Sequence, residues 1–114
     1  MLAPDHQQRL DALAKANVRR REIRDARVAL KELPTHEGRL VLADLIEEGL
    51  SVFEGMSLWR AVSSVRSFGR VRMMRLFRLV DVVSGDRLVR ELSDRQRRVL
   101  VGLLRGDAVD GRLL

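Results

Sequence analysis

Five arginines, Arg66, Arg70, Arg72, Arg75 and Arg78, crowd around one glycine in the stretch VSSVRSFGRVRMMRLFRLVDVV, residues 62–83. A guanidinium is charged at any working pH, and its fork of donors matches a carboxylate or phosphate. The chemistry on offer is therefore anion binding. Other chemistries find little material. The chain has no cysteine, which excludes a disulfide framework and a thiolate metal site. Two histidines, His6 and His36, are too few for a His-based zinc site or a catalytic triad. No cofactor motif is present, so neither a cofactor nor a metal is expected. Met73, Met74 and Trp59 fall at helical spacing and read as core, leaving no small-molecule pocket.

Glycine ahead of a helix start leaves backbone N–H groups without intrahelical partners, and such groups bind phosphate oxygens. In "SFGR", Arg70 and Arg72 would add charge beside those donors. Two readings stay open: a phosphate cradle, or a glycine that merely makes a tight helix–helix turn. Each helical residue turns by about 100°. After Gly69 this gathers Met73, Leu76, Phe77 and Val80 on a core face, with Arg72, Arg75 and Arg78 opposite. Those arginines have no acid at i+3 or i+4 until Asp81, so the face repels itself unless an anion is near.

The same pattern recurs upstream. Arg20, Arg24, Arg27 and Lys31 form one narrow basic stripe, beside an apolar one of Ile23, Ala26, Leu30 and Leu33. With alanines and no Trp or Phe on its apolar face, this helix fits a membrane surface poorly. Near the C-terminus, "SDRQRR" opens a helix with Arg95, Arg97 and Arg98 close to its N-terminus, where positive charge opposes the helix dipole. Leu100, Leu103 and Leu104 are that helix's core residues.

These surfaces must be carried by helices. Leu, Ala, Arg and Glu dominate and no strand-type alternation persists, so an all-α protein of one domain is expected from 114 residues. Residues 5–33 lack Gly and Pro and predict one long helix, N-capped by Asp5 and ended by Pro34. Thr35 is the next cap candidate, opening a helix over 36–48 that Gly49 closes. "GLSVFEG" reads as a loop, and Ser57 caps a short helix, "LWRAVSS". A helix over 70–80, a loop bending at Gly85 and a short helical turn in "LVREL" follow. The last helix starts at a Ser93–Gln96 capping box and stops at Gly106.

Charge is uneven within a net +6. Residues 1–33 carry eight Lys/Arg against five Asp/Glu, residues 34–54 one against five, and residues 55–114 thirteen against six. Two basic regions flank an acidic middle, which favours an anionic polymer as partner. The N-terminal stretch "MLAPDHQQRL" lacks the apolar core of a secretion signal, and no apolar run approaches membrane-spanning length. A cytoplasmic, non-membrane protein is the expectation.

From about Ala16 to Leu104 the chain resembles the actinobacterial integration host factors, small nucleoid-associated proteins with a helix-two-turns-helix domain. "FGRVRMMRLF", "RLVREL" and "LSDRQRRVLVGLL" carry the likeness, with "RREIRDARVALK" resembling that family's long basic N-terminal helix. Similar motifs occur in a small-subunit ribosomal protein and in base-excision DNA glycosylases. Residue pattern and resemblance together divide the chain into a long basic helix over 1–33, a helical body over 34–106 with the motif at about 57–104, and a tail over 107–114 whose residues read as flexible. It implies a compact five-helix protein that binds duplex DNA through backbone phosphates with little sequence specificity and bends or compacts it, located at the nucleoid. Carried over, one contact surface is Gly69, Arg70, Val71 and Arg72. A second is Arg20 and Arg24, to which the basic stripe adds Arg27. Arg95 and Arg97 match basic residues of the family's last helix.

The chain departs from the family at Arg66-Ser67, where Pro-Lys is common, and in both terminal segments. With these departures the resemblance is to a diverged or phage-borne member of the family. The implied protein is not an enzyme: a glycosylase needs a catalytic amine or acid in a pocket, and 114 residues leave little room for a second lobe. Two other readings are an RNA- or ribosome-associated module, and a recombination accessory factor whose acidic middle docks a basic partner such as a site-specific recombinase. Few aromatics weigh against single-strand stacking.

Overall fold

The computed structural model describes residues 4–114; the first three residues of the 1–33 segment lie outside it. Helix α1, Pro4–Glu32, runs through a sequence of strong helix formers without an interior Gly or Pro. At 1.5 Å per residue it is about 44 Å long. Only its C-terminal part packs on the body, with Leu30 buried and Ile23, Ala26 and Leu33 half-buried. Residues 5–15 are exposed on all sides. The result is a helical arm standing off a small body, with principal extents of 66 × 28 × 24 Å.

Helix α2 spans Thr35–Glu48 and ends at Gly49, whose left-handed φ of 72° turns its N–H onto the Leu45 carbonyl. Its N-cap is Pro34, not Thr35. The Thr35 hydroxyl instead donates to the Arg66 carbonyl at 2.8 Å, tying the start of α2 to the arginine-rich turn. The segment read as a plain loop holds a 3-10 turn, Val52–Gly55, capped by Ser51, and it buries Phe53. Helix α3, Leu58–Ser63, is capped by Ser57 as expected, and α4 covers Arg70–Val80. A second 3-10 turn, Val89–Glu91, precedes α5, Asp94–Leu104, which opens on the reciprocal Ser93–Gln96 box.

The molecule is all-helical, a long N-terminal helix followed by four shorter ones. Leu42, Ala43 and Ile46 of α2, Met73, Leu76, Phe77 and Val80 of α4, and Leu100, Val101, Leu103 and Leu104 of α5 meet in one core. Phe53 and Met56 from the first 3-10 turn and the link after it, and Leu58 and Val62 from α3, close it. Gly85 is needed for close approach: an added Cβ would come within 2.8 Å of the Phe77 ring and 3.2 Å of the Trp59 Cβ.

Two expectations change. Met74 and Trp59, read as core, are 45% and 37% exposed. Met74 lies on the flank of α4 beyond its buried stripe, and Trp59 presents part of its ring at the surface of α3. The tail 107–114, read as flexible, folds back on the body. Asp107 N–H bonds the Gly102 carbonyl at 2.8 Å, and Val109 and Arg112 exchange two bonds across a turn with Asp110 and Gly111 at positive φ. Val109 and Leu114 then rest against the core.

Candidate nucleic-acid interface

The basic stripe of α1 faces the end of α3. Arg20, Ile23, Arg24, Arg27, Val28 and Lys31 from α1, with Arg60 and Ser64, line a cleft of about 410 Å³. Five cations and no carboxylate line it. Arg27 fixes the geometry: its Nε donates to Ser64 Oγ at 2.9 Å and its Nη2 to Ser63 Oγ at 3.4 Å. Both hydroxyls in turn donate to the Arg60 carbonyl, at 3.1 Å from Ser63 and 2.8 Å from Ser64. These bonds are why Ser64 can be almost fully buried. Arg20 reaches only Asn17, at 3.3 Å, and Arg24 lies 3.8 Å from Asp25 with both side chains mostly exposed. Such an exposed pair binds weakly and is easily exchanged. Arg60 escapes sequence reading because it stands alone among apolar residues and only folding sets it opposite the stripe.

The turn from Ser64 to Gly69 leads to the second surface. Four residues lie between Ser64 and Gly69, so the two are at most about 18 Å of chain apart. The chain reverses at Ser67, whose φ of 58° is left-handed, and not at Gly69. Gly69 has an ordinary φ of −75° and ψ of 170°, open to any residue. Nothing lies within 4 Å of the position its Cβ would take. A tight-turn explanation of this glycine therefore fails on both conformation and packing.

What the glycine does is keep the start of α4 bare. No side chain caps this helix, and its first intrahelical bond runs from Met73 N–H to the Gly69 carbonyl at 3.0 Å. The N–H groups of Arg70, Val71 and Arg72 have no partner among the described residues. Uncapped N–H groups and the helix dipole both favour an anion here. Arg70 and Arg72 are exposed, and Val71 is 86% exposed. The Arg72 guanidinium is seated over the Phe68 ring, 5.6 Å from its centroid. Arg39 adds positive charge behind it while bonding the Leu103 and Leu104 carbonyls at 2.9 and 3.2 Å. Burial first, and then the charge of Arg72, pull the Arg39 guanidinium below its ordinary value.

The third group separates from these. Arg97 points inward, pairing with Glu54 at 2.7 Å and donating to the Ile46 and Val89 carbonyls at 2.8 and 3.2 Å. The hydrogen bond to Glu54 is the main cause of a guanidinium pKa raised above its ordinary value. Arg97 is thus a structural cation and not a phosphate contact. The i,i+1 neighbours of a helix point different ways, so "RQRR" could not reveal which arginine turns inward. Arg95 stays exposed, but the α5 start is already served: Ser93 Oγ accepts from Gln96 N–H at 3.1 Å, and Asp94 supplies negative charge in the first turn.

No family model, curated protein or solved structure matches this chain.

Among the described residues, no group of three or more His, Asp or Glu side chains could hold a metal ion. No described helix is long and apolar enough to cross a membrane. The acidic middle of the sequence sits largely on α2, where Asp44 and Glu47 both engage Arg105, the former at 2.7 Å. Those two hydrogen bonds are the main reason that the Arg105 guanidinium is held above its ordinary value.

Proposed function

We propose that this protein is a non-enzymatic, largely sequence-nonspecific duplex-DNA-binding protein that grips backbone phosphates and bends or compacts DNA, as a nucleoid-associated protein akin to the integration host factors of actinobacteria. The observation that carries the reading is Gly69. It is demanded by neither backbone conformation nor packing, yet it leaves three N–H groups bare between two exposed arginines. A phosphate oxygen is the ligand such a site suits. The acid-free cleft of Arg20, Arg24, Arg27, Lys31 and Arg60 supplies a second grip within reach of the same duplex.

Phosphates on one strand of B-DNA recur about every 3.4 Å along the axis. Ser64, at the edge of the cleft, lies at most about 18 Å from Gly69, a span of about five phosphates, so the near edges of both surfaces can engage one short segment. Two separated grips on one duplex then favour bent DNA over straight DNA.

Gly69→Asp tests this with opposite signs. Asp is a good N-cap and its charge suits the helix dipole, so the variant should be more stable by a few tenths to about 1 kcal/mol. The same carboxylate occupies the N–H groups and repels phosphate, so affinity for a short random duplex should fall about tenfold or more. A variant that melts higher and binds DNA as tightly as the parent would sink the assignment of this turn. Tighter binding to structured RNA than to duplex DNA at matched salt would move the reading to RNA.

A further inference from the structure

Behind α4, away from the Phe68–Arg72 flank, lies a groove that phosphate binding does not use. Trp59, Met74, Phe77, Arg78, Val82, Val83, Ser84 and Gly85 enclose about 350 Å³. Phe77 and Val82 form its buried floor, while Val83 is 104% exposed at the rim beside half-exposed Met74 and Trp59. The floor is rigid. Trp59 and Phe77 rings stack at 5.9 Å with a 49° tilt, and Trp59 N–H holds the Gly85 carbonyl at 2.9 Å.

A preformed apolar groove with three large exposed hydrophobic side chains at its rim is an uncommon expense on a small surface, and such patches mark docking sites. Its volume is at the small end of binding pockets and admits a few side chains. The charge of its lining states the occupant's sign: Arg78 is the single charged residue in it and no carboxylate lines it. Arg75, three residues before Arg78 on the same helix, is also exposed. Asp81 and Asp86 border the loop without lining the groove. Helix α2 of a second copy is a poor complement: it exposes one large apolar side chain, Val41, and two of its carboxylates are held by Arg105. The α1 arm of a second copy, with Leu10 and Leu13 exposed beside Asp11, is the self-contact that the test below separates from a foreign segment.

We infer that this groove receives a short acidic-and-apolar segment of another protein, its aliphatic or aromatic side chains seated between Trp59, Met74 and Val83 and its carboxylates on Arg78 and Arg75. The site does not depend on the DNA reading, and it gives the outer arginines of α4 a role separate from the helix's N-terminus.

Trp59 is the one tryptophan in the chain and lines this groove, so its fluorescence reports on it. The probe is a random 16-residue peptide display library panned on the intact protein, with Met74→Ala/Val83→Ser protein as counter-selection. Both positions are exposed and the changes are neutral, so folding and DNA affinity should stay as in the parent. The selected peptides should carry Asp or Glu beside Leu, Ile or Phe, and blue-shift Trp59 saturably. Arg78→Gln should weaken them about tenfold. Three results would overturn the proposal: no enrichment that depends on Met74 and Val83, enrichment of basic or uncharged sequences, or a Trp59 shift produced by duplex DNA instead. Concentration-dependent self-association lost in the double variant would assign the groove to a second copy and likewise reject it.

Discussion

At the scale of single residues, the arginines divide by where their guanidinium groups end. Arg97 is 21% exposed against a Glu54 that is 15% exposed, and it also serves two backbone carbonyls. Arg97→Ala would leave that carboxylate buried without a counter-charge. The expected cost is about 3 kcal/mol, the low end for a broken buried pair because some water still reaches it. In a domain of this size that lowers Tm by roughly 12 °C. DNA affinity of the remaining folded protein should be unchanged, a contrast that thermal melts and binding curves on one sample would show. Gly85→Ala is a second structural test. The added methyl meets aromatic and backbone-anchored atoms that cannot swing away, so about 1–3 kcal/mol should be lost, with an altered Trp59 emission. The sequence could name every arginine, yet not which one turned inward, because that depends on Glu54 arriving from a 3-10 turn that reads as plain loop.

The elements were more legible than the contacts between them. Helices α3, α4 and α5 and the end of α1 lie where the Gly, Pro and capping residues place them, because each of these boundaries is written in local chemistry: Pro34, Ser57, Gly69, and Ser93 with Gln96. Asp5, the expected cap of α1, lies inside its first turn, since the helix already includes Pro4. Local rules failed where tertiary contacts competed for the same group. Thr35 could have capped α2, but its hydroxyl serves the Arg66 carbonyl. The tail has a turn in "VDGR" and folds back because Val109 and Leu114 find apolar neighbours far away in sequence. The α1 arm is the converse case, an element with almost no tertiary support before Ala16. Removing residues 1–14 should therefore leave the thermal midpoint within about 2 °C of the parent while helical ellipticity falls in proportion to the residues lost. A large drop in Tm would mean that the arm is held by contacts of its own. Affinity for a short duplex should also stay close to the parent's, since residues 1–14 carry one Arg against two Asp while Arg20 to Lys31 remain.

For the molecule as a whole, what matters is that two cationic surfaces distant in sequence are tied into one region. Arg27 on α1 bonds Ser63 and Ser64, and Thr35 bonds Arg66, so the α1 cleft and the Gly69 turn are held at a fixed spacing. Seven exposed or half-exposed cations, Arg20, Arg24, Arg27, Lys31, Arg60, Arg70 and Arg72, then compose the surface. If five to seven phosphates are neutralised, the logarithm of the DNA association constant should fall with the logarithm of salt at a slope of about −5 to −6. Arg20→Ala/Arg24→Ala and Arg70→Ala/Arg72→Ala should each make the slope shallower by about two, and their combination by about four, because each removes its own phosphate contacts. That additivity separates one rigid two-part grip from two alternative sites. Were the two surfaces used by different DNA molecules, each pair would weaken only its own site: the variant in the weaker site would leave the tighter site and its slope nearly intact, and only the combined variant would lose both. Fluorescence anisotropy of a labelled random duplex, read from about 50 to 200 mM salt where such binding changes by orders of magnitude, distinguishes the two cases.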